Sequence, residues 1–443
     1  MKHFEINLER LEADLLGPEL GIDGMQVLRD STSDINRIQS VLTRQEQNFE
    51  ITYLNVYRDE QAIEATLELS EELAGRYDNL LLIGIGGSSW GTIAIHTALN
   101  HSYHNEWGGS PRFYVLDNSD PEELEDLLEG LDLTRTCVNV VSKSGTTPET
   151  MANFMIVLEA LQEAVPDQWQ QQVVVTTDAA QQGSEGLLLQ MADQLGFHKL
   201  MMPPAVGGRF SLLTAVGLFP ASMLGIPVRR LLEGARDVSL AMLNQNSSLL
   251  NAVIVSRAFL RQHDRNIMVL MPYHRRLRYL SNWYMQLWAE SLGKKYDRDG
   301  NVVHNGTTPV GALGAADQHS LNQLFIEGPP DKLITFLRVE KFKQARPVPE
   351  LASKYEPIAW LAGHTLAELI NAEQEATASA LAGEQRGSRT ITLDTLTPES
   401  LGALFQFFAI ETHIWGELDN VNPFDQPGVE LGKVLTKKSM SAD

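Results

Sequence analysis

The chain has 443 residues, 43% of them hydrophobic and 21% charged, and a formal net charge of −22. That length exceeds one small core and points to two α/β domains, while the negative field excludes nucleic acid and anionic membranes as partners. A small phosphorylated molecule stays open, because it needs only a local pocket of backbone N–H groups and one or two cations.

Cys137 is the sole cysteine and sits in an apolar run, Cys137-Val138-Asn139-Val140-Val141. It excludes a disulfide framework within the chain, reads as a buried strand residue, and makes the reducing cytoplasm the expected compartment. The start, Met1-Lys2-His3-Phe4-Glu5, lacks the apolar stretch of a signal peptide, and no run approaches the ~18 apolar residues of a membrane span.

In chain order, residues 1–75 read as acidic amphipathic helices serving as packing material. From Asn79 the pattern changes. Leu80 to Ile85 is a short apolar strand, followed by a glycine-rich turn and a helix over 92–99. Phe113 to Leu116 is a second strand, ending at Asp117-Asn118-Ser119-Asp120-Pro121-Glu122, where a cap and a proline open a helix. Val138 to Ser142 and Val173 to Thr177 continue the alternation. Helices fill 228–262; strands return at Asn266–Met271, Leu333–Leu337 and Thr390–Leu393, the last before a helix start at Thr397-Pro398-Glu399. Short buried strands alternating with helices predict parallel sheets covered on both faces. The fold class is therefore α/β, with two doubly wound parallel-sheet domains at 76–225 and 226–443 behind the helical segment. The stretch Gly293–Gln318 reads as an unusually long, glycine-rich loop, and loops of that size are usually functional.

Ligands gather at the carboxyl ends of parallel strands. Two loops lie there in the first domain: Gly84-Ile85-Gly86-Gly87-Ser88-Ser89-Trp90-Gly91 and Ser142-Lys143-Ser144-Gly145-Thr146-Thr147-Pro148-Glu149. The second offers four hydroxyls, a lysine and a helix start, with Thr146 and Glu149 spaced as a capping box. Such a helix start suits a phosphate; the same hydroxyls could equally serve the turn and the cap alone. A dinucleotide reading of the first loop fails. Ser89 occupies the third glycine position, and Asp117 stands 33 residues past Gly84 rather than the roughly 20 of that fingerprint.

Tyr279–Leu292 reads as a helix with Tyr279, Trp283 and Leu287 in its apolar line and Gln286 and Glu290 beside it. A carboxylate bordering a core face is either an ion-paired structural group, with Lys294 or Lys295 as partner, or a tuned base. Arg209 lies on the double-glycine turn Val206-Gly207-Gly208-Arg209-Phe210-Ser211, where backbone can approach a ligand. His319 follows the long loop, and Gln426 and Lys433 lie seven residues apart near the C-terminus. No metal-ligand spacing and no nucleophile elbow occur. One glutamate, one histidine, one arginine and one lysine around a phosphate loop suit proton transfer next to a carbonyl.

Taken together, these motifs resemble the glucose-6-phosphate isomerase family. The matching segments are Gly84-Ile85-Gly86-Gly87-Ser88, Ser142 to Thr147, Gly207 to Ser211, Gln286 with Glu290-Ser291-x-Gly293-Lys294, and Phe424-Asp425-Gln426-x-Gly428-Val429-Glu430-x-x-Lys433, in that order. The resemblance implies two sugar-isomerase (SIS) domains, no cofactor or metal, sugar-phosphate substrates, and a cytoplasmic homodimer with sites at the subunit boundary. It implies that Ser142, Lys143, Ser144 and Thr147 hold the 6-phosphate while Gly87 and Ser88 line the sugar end. Glu290 would then move a proton between C2 and C1, Arg209 would stabilise the enediolate, His319 with Lys433 would open the ring, and Gln286 and Gln426 would bind substrate. Ala289 and Pro204 depart from the family pattern. The differing length of the loop before His319 leaves His304 as its rival. Acceptance of mannose 6-phosphate, and a non-catalytic sugar-phosphate sensor, are the alternative readings.

Overall fold

The computed structural model describes residues 2–178, 186–203, 206–244 and 247–441. Its two five-stranded sheets follow from the buried apolar runs. The first joins β2 (Asn79–Ile83), β3 (Arg112–Leu116), β4 (Thr136–Val141), β5 (Val173–Asp178) and β6 (His198–Met202) in the order β3-β2-β4-β5-β6, all parallel. Every residue of β2, β4 and β5 is buried, as expected where helices cover both faces. Successive side chains point to opposite faces, so Leu80, Leu82 and Cys137 enter one core while Leu81, Ile83, Val138 and Val140 enter another. Burial drives the Cys137 thiol up to about 12, which fits an inert strand residue.

The second sheet joins β1 (Glu5–Asn7), β12 (Ser388–Thr395), β11 (Lys332–Lys341), β7 (Ile267–Pro272) and β10 (Thr308–Gly311) in that order. All its pairings are parallel except β1 with β12, where Ile6 faces Ile391. Here the structure differs from expectation. The N-terminal segment is not wholly helical: β1 adds an edge strand to the far sheet, and Phe4 beside it packs against Phe407. Three residues are too few to show a strand period in sequence. The expected long loop is also structured. β8 (Lys294–Tyr296) and β9 (Val302–Asn305) pair antiparallel, and β10 follows at once.

A continuous core lies between the sheets and takes in the inner faces of both. Its axis is the helix Pro398–Leu418, buried from Ser400 to Glu417; apolar side chains dominate it, and the buried charge of Glu411 is paired with Arg389. Thr397 and Ser400 close its N-terminus as a capping box. It meets the helix Val228–Leu243 at reciprocal glycines. A Cβ on Gly402 would lie 2.0 Å from the Leu231 carbonyl oxygen, and one on Gly234 would lie 1.9 Å from that of Glu399. Any larger residue must push the helices apart, and overpacking of this kind costs about 1–3 kcal/mol. No helix among the described residues is long and apolar enough to cross a membrane.

Candidate active site

The glycine turn after β2 and the arginine turn at Gly207-Gly208 lock together at the carboxyl end of the first sheet. A Cβ on Gly87 would lie 2.5 Å from the Gly208 carbonyl oxygen and 2.8 Å from the Arg209 nitrogen, so only glycine permits this approach. The helix Arg278–Leu292 crosses the same place. It buries Trp283 and Leu287 and carries Gln286 and Glu290 along the edge of that face. Gln286 reaches the turn, since a Cβ on Gly86 would meet its Nε2 at 2.8 Å.

Arg209 is the centre of the arrangement and is 3% exposed. Its Nε donates to Ser291 Oγ at 2.7 Å. Nη1 donates to Glu290 Oε1 at 3.1 Å and Gln426 Oε1 at 3.0 Å. Nη2 donates to the carbonyls of Pro423 and Asp425. Burial pulls the guanidinium below its ordinary value, with Glu290 and Asp425 opposing; an arginine remains a cation there. The other carboxylate oxygen of Glu290 accepts from Gln286 Nε2 at 3.1 Å. Both Glu290 oxygens are thus fixed, and the carboxylate keeps partial access to solvent.

The expected ion pair of Glu290 with Lys294 or Lys295 gives way to the one with Arg209. Lys294, buried and pulled down by desolvation and by Arg209, donates to the carbonyls of Glu290 (2.7 Å) and Asp425 (2.8 Å). It therefore ties the end of the helix Arg278–Leu292 to the C-terminal loop. Beneath that loop Phe424 packs against Phe210, Tyr53 and His413, and Tyr53 Oη lies 2.9 Å from His413 Nδ1. Glu417 pairs with Arg298 of the β8–β9 connection. Burial alone would raise Glu417; His413 and Arg298 outweigh it and hold the carboxyl at about 2. Sequence reasoning missed Tyr53, His413 and Glu417, which sit inside ordinary helical patterns and carry no spacing signal.

The hydroxyl-rich loop from Ser142 to Thr147 follows β4. Ser142 Oγ lies 3.1 Å from Thr147 Oγ1, which lies 3.3 Å from Ser144 Oγ, and Gly145 at φ +64 turns the chain against Leu188. The expected capping box of Thr146 and Glu149 does not form. The helix Pro148–Ala164 starts one residue later, with Thr147 as N-cap and no side chain capping it. Proline pins the first helical position and holds its predecessor extended, and the side chain of the N-cap residue accepts from none of the first-turn N–H groups. Lys143 Nζ donates to the Val206 carbonyl at 2.8 Å, joining this loop to the arginine turn; burial lowers its pKa, with Asp178 opposing. Ser88 is half-buried in the turn after β2.

The structure thus brings Gly87, Arg209, Gln286, Glu290 and Gln426 into one contact network, with Lys143 bridging to Ser142, Ser144 and Thr147. Two residues stay outside it. His319 is exposed in the first turn of the helix Gln318–Glu327, and Lys433 lies on the exposed helix Glu430–Met440, paired with Glu430 at 2.8 Å. His304 is exposed on β9 at φ +44. Pro204 lies outside the described residues. Among the described residues no group of three or more His, Cys, Asp or Glu is placed to hold a metal ion.

The model of the phosphoglucose isomerase family matches residues 68–442. The chain belongs to this family. A glucose-6-phosphate isomerase of Carboxydothermus hydrogenoformans is 40% identical over 388 residues, covering 86% of this chain and 82% of that one. One from Thermus thermophilus is 41% identical over 367 residues, covering 82% and 84%. Among solved structures, a hypothetical protein from Thermus thermophilus superposes with a TM-score of 0.87 at 35% identity, covering 99% of this chain and all of that one. A glucose-6-phosphate isomerase from Chlamydia trachomatis superposes with a TM-score of 0.74 at 25% identity, covering 86% and 73%. As a member of the phosphoglucose isomerase family the chain is an enzyme, and the reading of five motifs in order as one family is borne out.

Proposed function

We propose that the chain interconverts glucose 6-phosphate and fructose 6-phosphate in the cytoplasm, serving glycolysis and gluconeogenesis, with Glu290 as the proton-transfer base. The observation that carries this reading is the Glu290 carboxylate held between Arg209 and Gln286 beside the Gly86–Ser88 turn. Ser142, Ser144 and Thr147, the uncapped helix start and Lys143 receive the 6-phosphate. Gly87, Ser88, Gln286 and Gln426 line the sugar. On the opened aldose, Glu290 removes the C2 proton; the electron pair forms the C1–C2 double bond and the C1 carbonyl oxygen takes up the negative charge. Arg209 stabilises that enediolate in a water-poor site. Return of the proton to C1, with transfer of the O2 proton to O1, completes the ketose.

Ring opening falls to His319 and Lys433, and the partner reading is a homodimer. Its support is the exposed helix Glu430–Met440, which presents Leu431, Val434 and Leu435 to solvent, and the exposure of His319 itself. A second copy covering that strip buries apolar surface and brings a histidine to the contact network of Arg209, Glu290, Gln286 and Gln426, which has none of its own among the described residues.

Glu290→Gln is the test. Binding of fructose 6-phosphate, measured by calorimetry, should persist. Turnover, and exchange of the C2 hydrogen with deuterated solvent, should both fall by at least ~10²-fold, the scale of general-base catalysis. Normal C2 exchange in that variant would remove Glu290 from the mechanism.

A further inference from the structure

The second sheet repeats the strand order of the first. In the first, β2 lies one strand in from the edge, with β3 outside it and β4 then β5 on its other side; in the second, β7, β10, β11 and β12 take the same places. Each sheet therefore has a switch point, between β2 and β4 and between β7 and β11, where outgoing loops diverge and open a crevice beyond the carboxyl ends of the strands. The first crevice holds the phosphate loop. The second has no role in the reaction described above.

A cavity of about 250 Å³ opens at this second switch point, lined by residues that follow β7, end β11 and follow β12. Arg276, Lys341 and Lys343 line it with His101, and no carboxylate does. On a chain of net charge −22 this is a local inversion of sign. Lys341 is paired with Asp394 at 2.6 Å, whereas among the described residues no carboxylate pairs with Arg276 or Lys343. The wall behind them is built. His274 stacks on Phe342 with ring centres 4.8 Å apart and planes 8° from parallel. His274 Nδ1 accepts the backbone N–H of Arg276 at 3.3 Å, which fixes the turn carrying that arginine. Burial and the neighbouring Arg276 cation push His274 down to about 4, so the ring is neutral, with its remaining proton on Nε2 as a donor.

We propose that this cavity is a second anion-binding site, which takes a phosphate monoester of a small molecule through Arg276, Lys343 and the His274 ring. A guanidinium, an ammonium and a neutral N–H donor suit a doubly charged tetrahedral oxyanion. Phe342 supplies an apolar wall for the carbon part of the ester.

The test counts phosphates. In equilibrium dialysis at low ionic strength, the full chain should bind two inorganic phosphates at saturation. The variant Arg276→Gln with Lys343→Gln should bind one and retain wild-type isomerase turnover. Lys343→Gln alone alters an exposed side chain and leaves the fold untouched; it should weaken the second phosphate about tenfold. Glycerol 3-phosphate should compete for this second site more tightly than phosphate itself. A wild-type count of one, lost on replacing Ser142 and Thr147 by alanine, would overturn the proposal, as would two phosphates retained by the Arg276 and Lys343 variant. The phosphate-loop reading fails separately: if replacing Ser142 and Thr147 left the count at two while the Arg276 and Lys343 variant fell to one, the first site would be misplaced and the second would stand.

Discussion

The two sides of the active site are built on opposite principles. On one side Arg209 is 3% exposed; it donates to Glu290 and Gln426, and Gln286 donates to Glu290, all within one chain. On the other, the Lys433 side chain is 56% exposed and His319 stands in solvent on a helix start. On the proposed mechanism this is the proton-transfer half, preorganised before substrate arrives so that its dipoles need no reorganisation. On the same mechanism the ring-opening half is completed by a second copy of the chain. Ring opening occurs in water unaided, whereas removing a proton from carbon needs a fixed base beside a fixed cation. The chain places its rigidity where the chemistry is harder.

The largest effect should come from the rigid side. Arg209→Lys keeps a positive charge but loses the planar fork that serves Ser291, Glu290, Gln426 and two backbone carbonyls together. Turnover should fall about 10²–10³-fold, as for removal of an oxyanion donor. A steady-state assay with less than a tenfold loss would show that charge alone suffices and that preorganisation there matters little.

The open side is tested by mixing. If His319 serves the site of a second copy, Glu290→Gln and His319→Ala proteins are each nearly inactive alone. Unfolded and refolded together they form a dimer population that is half heterodimer, and each heterodimer has one intact site. Activity should recover to about a quarter of wild type, a value set by two-fold symmetry. No recovery would place His319 within its own chain and dissolve the contrast.

The smallest effect concerns the floor under the rigid side. Glu417, held at about 2, has a folded pKa below its unfolded value, so its contribution to stability is full above roughly pH 4.3 and is lost as pH falls toward 2. Arg298→Gln should raise that pKa and destabilise the chain, measured by urea unfolding at pH 7. At pH 3 the gap to wild type should narrow. A gap independent of pH would mean that Arg298 acts through packing alone.

How much of this was legible depended on burial. The strands β2, β4, β5, β7, β11 and β12 showed as apolar runs because both faces are covered. The missed strands are sheet edges or hairpin members: β1 has three residues, β6 alternates buried and exposed positions, and β10 is half-exposed and contains Pro309. Edges carry weaker patterns, since one side of the strand has no partner. In the site, residue types pointed to Glu290, Arg209 and Gln426 individually. Their pairing spans 81 and 217 residues, and no local period encodes such a distance. Lys294 looked like the partner of Glu290 because it is near in sequence; the fold turns its ammonium to backbone carbonyls instead. His319 and Lys433 were legible through resemblance alone, because a single chain gives them no neighbours from which to read a role.

A guanidinium has five hydrogens to give, and in Arg209 each already has an acceptor: Ser291, Glu290, Gln426 and the carbonyls of Pro423 and Asp425. An arriving oxyanion can reach this charge only by exchange, and Nη1, whose acceptors are two side chains, is where exchange costs least. A planar anionic mimic of the enediolate that takes the place of Glu290 leaves that carboxylate beside a second negative charge. The two anions then compete for one guanidinium, and their repulsion opposes binding. Such an inhibitor should therefore bind more tightly to the Glu290→Gln variant, while a neutral sugar analogue should not.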